Sequence, residues 1–409
     1  MDKKMEISFV GKRDNNDYYS GWEINDLTGK LNSIYYKNQI LFDLNKYVDD
    51  GVSLKNIICF TKTLNTGNSY KKYTNGYLSL EDEADIQKMY FLGIPVTYEP
   101  NKKIELLKDI FEILRTTYTV FNRNKVDYRP LNREQGIKQL FRILREDRVE
   151  NSSISQLVKE KLNKLQDLHN PSLVDINKVD NPEDKAKVTQ YINDKQSFFS
   201  SKNLQKLLKK LDTDYQKNEY TDKEIENQHK NFINLFNKNA RPIISIYDDS
   251  KNSIKILGIE MFVRQLFSKE NTEFLETNKI GQNSPLIIIV SLSVVFLGSI
   301  VSAIQEKKEV QRQKLRELNI ERNKLGEEKN TVLDNRIQKC EETIEKLQTE
   351  LVNTNDSYHK FFPKANDVQD DLAINNPNLI EMKNAVTKKY LELDKEVKLN
   401  SIEPKKNVN

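Results

Sequence analysis

The stretch Pro285–Ile304, PLIIIVSLSVVFLGSIVSAI, runs for 20 residues without a charge. As a helix rising 1.5 Å per residue it is roughly 30 Å long, the thickness of a bilayer's hydrocarbon core. Pro285 suits the first turn of a helix, and Ser284 before it is a suitable cap. Few helices of water-soluble proteins are apolar around their whole circumference for this length. The stretch therefore predicts a single transmembrane helix at 285–304. A buried helix of a large globular core is the competing reading. A third is a helix that stays sheltered and inserts only on a trigger. Ser291, Gly298 and Ser302 are spaced 7 and 4 apart, so on a helix they share one face. Small residues at that spacing let two membrane helices approach closely, although small residues are also common in spanning helices generally.

The flanks of the stretch set its orientation. Lys269 and Lys279 precede it, whereas Lys307, Lys308, Arg312, Lys314, Arg316, Arg322 and Lys324 follow it closely. The positive-inside rule draws the following segment toward the cytoplasm. The start of the chain, Met1-Asp2-Lys3-Lys4-Met5-Glu6, lacks the apolar run of a signal peptide, which places the N-terminal region in the cytoplasm too. A membrane protein with one pass and a cytoplasmic N-terminal region is the expectation, and the conflict between the flanks leaves conditional insertion open.

Downstream, residues 305–352 hold 11 basic and 11 acidic residues and no proline. Leu333, Ile337, Cys340, Ile344, Leu347 and Leu351 alternate at spacings of 4 and 3, the seam of a heptad repeat. Leu318, Leu325 and Val332 are out of phase with that seam, which predicts a register shift between them. The seam requires a partner: either a second copy of the chain, giving a homo-oligomer, or a helix of the same chain near Ile380–Val397. Residues 353–409 are expected to hold a short helix and a disordered polar tail from Glu403 onward.

Upstream, residues 1–100 predict a small α+β unit. Met5–Val10, Gly21–Ile24 and Asn56–Thr61 are strand candidates, Ile34–Val48 a helix, and Tyr90–Tyr98 an apolar run broken by Gly93 and Pro95. Residues 101–240 predict helices. Ile104, Leu107, Ile110, Phe111, Leu114, Tyr118 and Phe121 form one amphipathic stripe. Ile137–Leu144 and Ile154–Leu168 carry two more, followed by helices at about 182–199 and 203–217. Thr221-Asp-Lys-Glu224 matches a capping box and opens a helix with Ile225, His229, Phe232 and Phe236 on one face. A lone histidine at the edge of such a stripe is more often packed than a ligand. Residues 241–283 predict a β-hairpin, Pro242–Tyr247 and Ser253–Leu257 about a polar turn, and then a juxtamembrane segment.

The totals exclude more than they assign. With 65 basic and 61 acidic residues, net charge +4, no concentrated basic face points to nucleic acid. Cys59 and Cys340 are the two cysteines, and His169, His229 and His359 the three histidines, too few and too scattered for a zinc motif or a disulfide framework. Phosphate-binding, nucleophile-elbow and HExxH motifs are all missing. The acidic pairs Asp49-Asp50, Glu81-Asp82-Glu83 and Asp248-Asp249 are expected to face solvent in a chain with 61 carboxylates. No catalytic, cofactor-binding or metal-ligating residue is assigned.

The fold class predicted is thus an α+β N-terminal region becoming mainly α-helical, one transmembrane helix and a C-terminal coiled-coil-like helix. The matching function is a membrane-anchored, coiled-coil-mediated oligomeric interaction or scaffold protein, not an enzyme. Its partners would be the lipid bilayer, a second copy and a cytosolic protein. A triggered membrane-perturbing effector, for example in bacterial defence against phage, is the first alternative. A membrane-tethered enzyme without a linear motif is the second.

Overall fold

The computed structural model describes residues 4–11, 19–63, 76–123, 202–217, 219–259, 276–281, 287–293, 295–326, 338–349 and 376–404, with short stretches and single positions at 73, 156, 158–159, 181–186, 189–190 and 193. The chain divides into two compact units. The first joins Met1–Asp50 to Met261–Asn409, and the second is Gly51–Glu260.

The 20-residue apolar stretch is not one helix. Ile287–Ser293 is strand β8, and Val295 begins helix α6, which runs to Gly326. Only ten residues of the stretch, Val295–Ile304, lie in that helix. Ten helical residues reach roughly 15 Å, about half a hydrocarbon core. Among the described residues no helix is long and apolar enough to cross a membrane. The transmembrane helix at 285–304, the fold class built on it and the single-pass membrane localisation are corrected accordingly. The local reason is the run Ile287-Ile288-Ile289-Val290. Branching at Cβ restricts χ1 in a helix but suits a pleated sheet. The tertiary reason is that β8 has a strand on each side.

Those strands make the sheet of the first unit, in the order β7–β8–β1–β9, where β7 is Glu276–Gly281, β1 is Lys4–Gly11 and β9 is Val397–Pro404. Every pairing is antiparallel. Ile7 lies opposite Val290 and Phe9 opposite Ile288. On its other side Ile7 faces Ile402, and Phe9 faces Leu399 after a register shift. Ile7, Ser8 and Phe9 are consecutive and all buried, so both faces of β1 are covered. The first four residues of β8, Ile287–Val290, are apolar without alternation, which is why the strand reads like part of a membrane span. The strand β9 also corrects the expectation of disorder at Glu403, which pairs with Glu6.

Helix α1, Gly21–Asp49, begins where a strand was expected at Gly21–Ile24. Ser20 and Glu23 form a capping box: the Glu23 N–H donates to Ser20 Oγ at 3.3 Å, and the Ser20 N–H donates to Glu23 Oε2 at 2.8 Å. Leu27, Leu31, Ile34, Leu41 and Leu44 bury its apolar side. The last helix of the unit, α7, is Ile380–Leu393 and buries Met382, Val386, Tyr390 and Leu393. Lys30 of α1 pairs with Glu396 just beyond α7, whereas Asp49 at the far end of α1 accepts from Asn376 just before it. The two helices are therefore antiparallel. Lys307 of α6 pairs with Asp394 at 3.6 Å, bringing the long helix alongside.

The second unit holds the sheet β3–β6–β5–β2–β4, again antiparallel throughout. Its strands are β2 Ile57–Thr63, β3 Tyr77–Ser79, β4 Pro95–Thr97, β5 Pro242–Asp248 and β6 Ser253–Ile256. The expected hairpin is thus β5–β6, and the strand at Asn56–Thr61 is β2. Among the described residues, the helices α2 Glu83–Leu92, α3 Lys102–Arg123, α4 Lys202–Gln216 and α5 Asp222–Lys238 accompany the sheet. Phe60, Phe111, Phe232, Phe236 and Tyr247 fill the core. The apolar run at Tyr90–Tyr98 splits, its first residues ending α2 and its later ones forming β4, with Gly93 at φ +120° between them. The helices expected at Ile137–Leu144 and Ile154–Leu168 lie almost wholly outside the described residues.

Candidate functional site

Of the residues singled out for membrane-helix packing, Ser291 is not on the helix that carries Gly298 and Ser302. Ser291 is in β8, opposite Glu6 of β1 and Glu276 of β7. Gly298 and Ser302 are in α6, beyond the break between strand and helix. Of the heptad seam, Leu333, Ile337 and Leu351 lie outside the described residues. Cys340, Ile344 and Leu347 fall in a helical segment at 338–349. Ile344 is buried, Cys340 and Leu347 are half-buried, and the other positions of that segment are exposed. The sheltered side is thus the seam side, and it is sheltered within a single chain.

Among the described residues, a cluster of charge around the buried Asp109 has no counterpart in the sequence reading. It belongs to the second unit and starts from α3. Ile104, Leu107, Ile110, Phe111 and Leu114 are buried, as the stripe predicts, but so are Leu106 and Ile113 on a second face. Asp109 lies between those two at helical spacing and is 0% exposed. Lys210 of α4 donates to its Oδ1. The same ammonium stands 3.2 Å from Oδ2 of Asp214, one turn further along α4. Asp109 Oδ2 is buried without a hydrogen-bond partner, as is the hydroxyl of Tyr220 just before α5.

Burial pushes the Asp109 carboxyl up to about 8, and the neighbouring Asp214 adds to this, outweighing Lys210. Burial lowers the Lys210 ammonium, yet its net shift is upward, because Asp109, Asp214 and Glu112 stabilise the charge. Burial, with the negative field of Glu105, Asp214, Glu224 and Asp109, raises the Tyr220 phenol to about 12. At the entry to α5 the sense reverses. Glu224 is held down at about 2 by Lys217 and by the Thr221 cap. The capping box expected there is present: Thr221 N–H donates to Glu224 Oε2 at 3.0 Å.

Chemically, Asp109 and Asp214 share one cation and have room for one proton. The sequence held a signal for this. Leu106 and Ile113, seven apart with Asp109 between them, mark a second apolar seam carrying one acid. Its partner Lys210 lies 101 positions away, and no linear motif links the two.

The acidic pairs are occupied locally. Asp82 caps α2 by accepting from Ala84 N–H at 2.7 Å, and Asp248 accepts from Ser250 N–H at 3.0 Å in the β5–β6 turn. Among the described residues no group of three or more His, Cys, Asp or Glu could hold a metal ion. His229 packs edge-on against Tyr98, with ring centroids 4.4 Å apart. Comparison with protein-family models, with curated proteins and with solved structures finds no match.

Proposed function

We propose that this chain is a non-enzymatic interaction protein that self-associates through α6. The observation behind this is the exposure of that helix. Of the 18 positions from Glu306 to Asn323, 12 are exposed and only Gln311 is buried. Two large apolar side chains stand out among them, Val310 at 47% and Ile320 at 56% exposed. A helix with so little of its own chain around it draws its stability from a partner or from side-chain pairs along its surface. Arg312–Glu309 at 2.6 Å is one such pair, and exposed pairs of this kind contribute only a few tenths of a kcal/mol.

A second copy is the partner that the charge pattern favours. The 11 basic and 11 acidic residues of 305–352 are interspersed, so the surface is complementary to itself, whereas a nucleic acid would call for one sign. The seam around Ile344 is already sheltered in one chain, which moves the expected contact from that seam to the outer faces of α6.

The test is the solution mass of the full chain at tens of micromolar, by light scattering or sedimentation. Wild type is expected as an oligomer. The double substitution Val310→Lys with Ile320→Lys should lower the mass while leaving far-ultraviolet circular dichroism unchanged. A monomeric wild type, or a mass insensitive to the substitutions, rejects the proposal.

A further inference from the structure

Asp109 lies buried at the α3–α4 contact, where Lys210 of α4 donates to its Oδ1. Ionised, its Oδ2 is an acceptor with nothing to accept from, in a site that is 0% exposed. Protonated, the same oxygen becomes a donor, and the Asp214 carboxylate is the acceptor within its reach. Lys210 then neutralises the one remaining negative charge.

The other charged groups around the cluster leave this arrangement in place. On α3, Glu105 and Lys108 face each other at 3.9 Å, and Glu112 adds negative field at Lys210. Lys217, at the end of α4, is bonded to Glu224 of α5. Tyr220 stays a neutral phenol. Two carboxylates and one ammonium would leave one excess negative charge beside Asp109, which is costly at a carboxyl that is itself 0% exposed.

We propose that docking of α4 onto α3 takes up one proton, held between Asp109 and Asp214 beside Lys210, so that the two helices form a pH-sensitive latch. When α4 leaves, Asp109 is hydrated and returns its proton to solvent. Leu204, Leu208 and Leu211, all buried when the latch is closed, are then uncovered.

The sign follows from linkage. Asp109 is raised from its ordinary value near 3.8 to about 8, so between those limits the closed state holds one proton more than the open state. Closure therefore weakens as pH rises across this window, by about tenfold per pH unit, and levels off above it.

The experiment is amide hydrogen exchange over residues 202–216 of the full chain, from about pH 6 to about pH 9, corrected for the intrinsic rate. Wild type should open about tenfold more per pH unit at the lower end and level off near the top. Asp109→Asn, permanently neutral and similar in shape, should show no such slope. A flat wild-type profile, or the same slope in Asp109→Asn, overturns the proposal. Infrared spectroscopy of the wild type is the second measurement, independent of whether that variant folds. A protonated-carboxyl band should be present near pH 6 and gone by about pH 10. Its absence near pH 6 overturns the latch as well.

Discussion

Lys30 Nζ of α1 lies 2.6 Å from Oε1 of Glu396, in the turn between α7 and β9, a bond that joins residues 366 positions apart. Asp26 also holds that ammonium, at 2.8 Å, and the two acceptors raise its pKa, Asp26 first. Both side chains of the long-range pair are about half exposed, 41% and 45%, so water screens the attraction. A Lys30→Met, Glu396→Gln double-mutant cycle should give a coupling of at most about 1 kcal/mol, smaller at high salt. Deleting residues 397–409 should do far more, because it strips β1 of the strand β9 that pairs with one edge. The expected result in urea unfolding is a cycle near the detection limit beside a truncated chain that loses the cooperative transition of the first unit.

The placement of β8 makes a prediction by position. Ile288 is 0% exposed opposite Phe9, whereas Ile280, its partner across the β7–β8 pairing, is 40% exposed. Ile288→Ala should cost about 3 kcal/mol, the transfer of its methyl groups plus the cavity left behind. Ile280→Ala should stay within about 0.5 kcal/mol. Equal effects in chemical denaturation would mean that the two strands are not placed as described.

Gly93 joins α2 to β4 at φ +120°, in a region that L side chains rarely adopt. A Cβ there would stand 2.5 Å from Thr61 Oγ1 and 2.9 Å from the Lys62 nitrogen, atoms that the β2–β4 edge needs. Thr61 Oγ1 accepts from Ile94 N–H at 2.9 Å. Gly93→Ala should therefore cost about 1–3 kcal/mol, from strain together with the displaced hydrogen bond. Gly51→Ala is the control. It also has positive φ, but nothing lies within 4 Å of its Cβ, so it should cost less. Thermal unfolding of both variants checks the order.

The entry to α5 should titrate in acid. Glu224 is depressed from 4.5 to about 2, by Lys217 first and then by Thr221, so the stabilisation is fully present above its ordinary value and lost as pH falls toward about 2. The side chain is 45% exposed, so salt should weaken this dependence. Thr221→Ala, which removes the reciprocal cap, should cost about 1 kcal/mol at neutral pH. Glu224→Gln should remove the acid-dependent component. An unchanged slope between about pH 4.5 and about pH 2 in that variant would show that another group carries it.

Much of the second unit was legible in the sequence. The β-branched runs at Asn56–Thr61, Pro242–Tyr247 and Ser253–Leu257 carry their own propensity, the turn chemistry sits between the last two, and the stripe from Ile104 and the box at Thr221 mark helices locally. The box at Ser20–Glu23 was equally local and points to the helix that replaces the expected strand at Gly21–Ile24. Asp109 was not legible as a site, because its meaning depends on Lys210, which comes near only after α3 and α4 pack.

The run from Ile287 to Ile304 shows where local information ends. Its composition determined that it would leave water and that its first residues prefer extended backbone. For its strand part, Ile287–Ser293, the setting, lipid or a sheet, was decided by Lys4–Gly11, some 280 positions earlier, which meets its backbone hydrogen-bonding groups as β1. A run of apolar residues satisfies either setting, and only the partner for its N–H and C=O groups tells them apart.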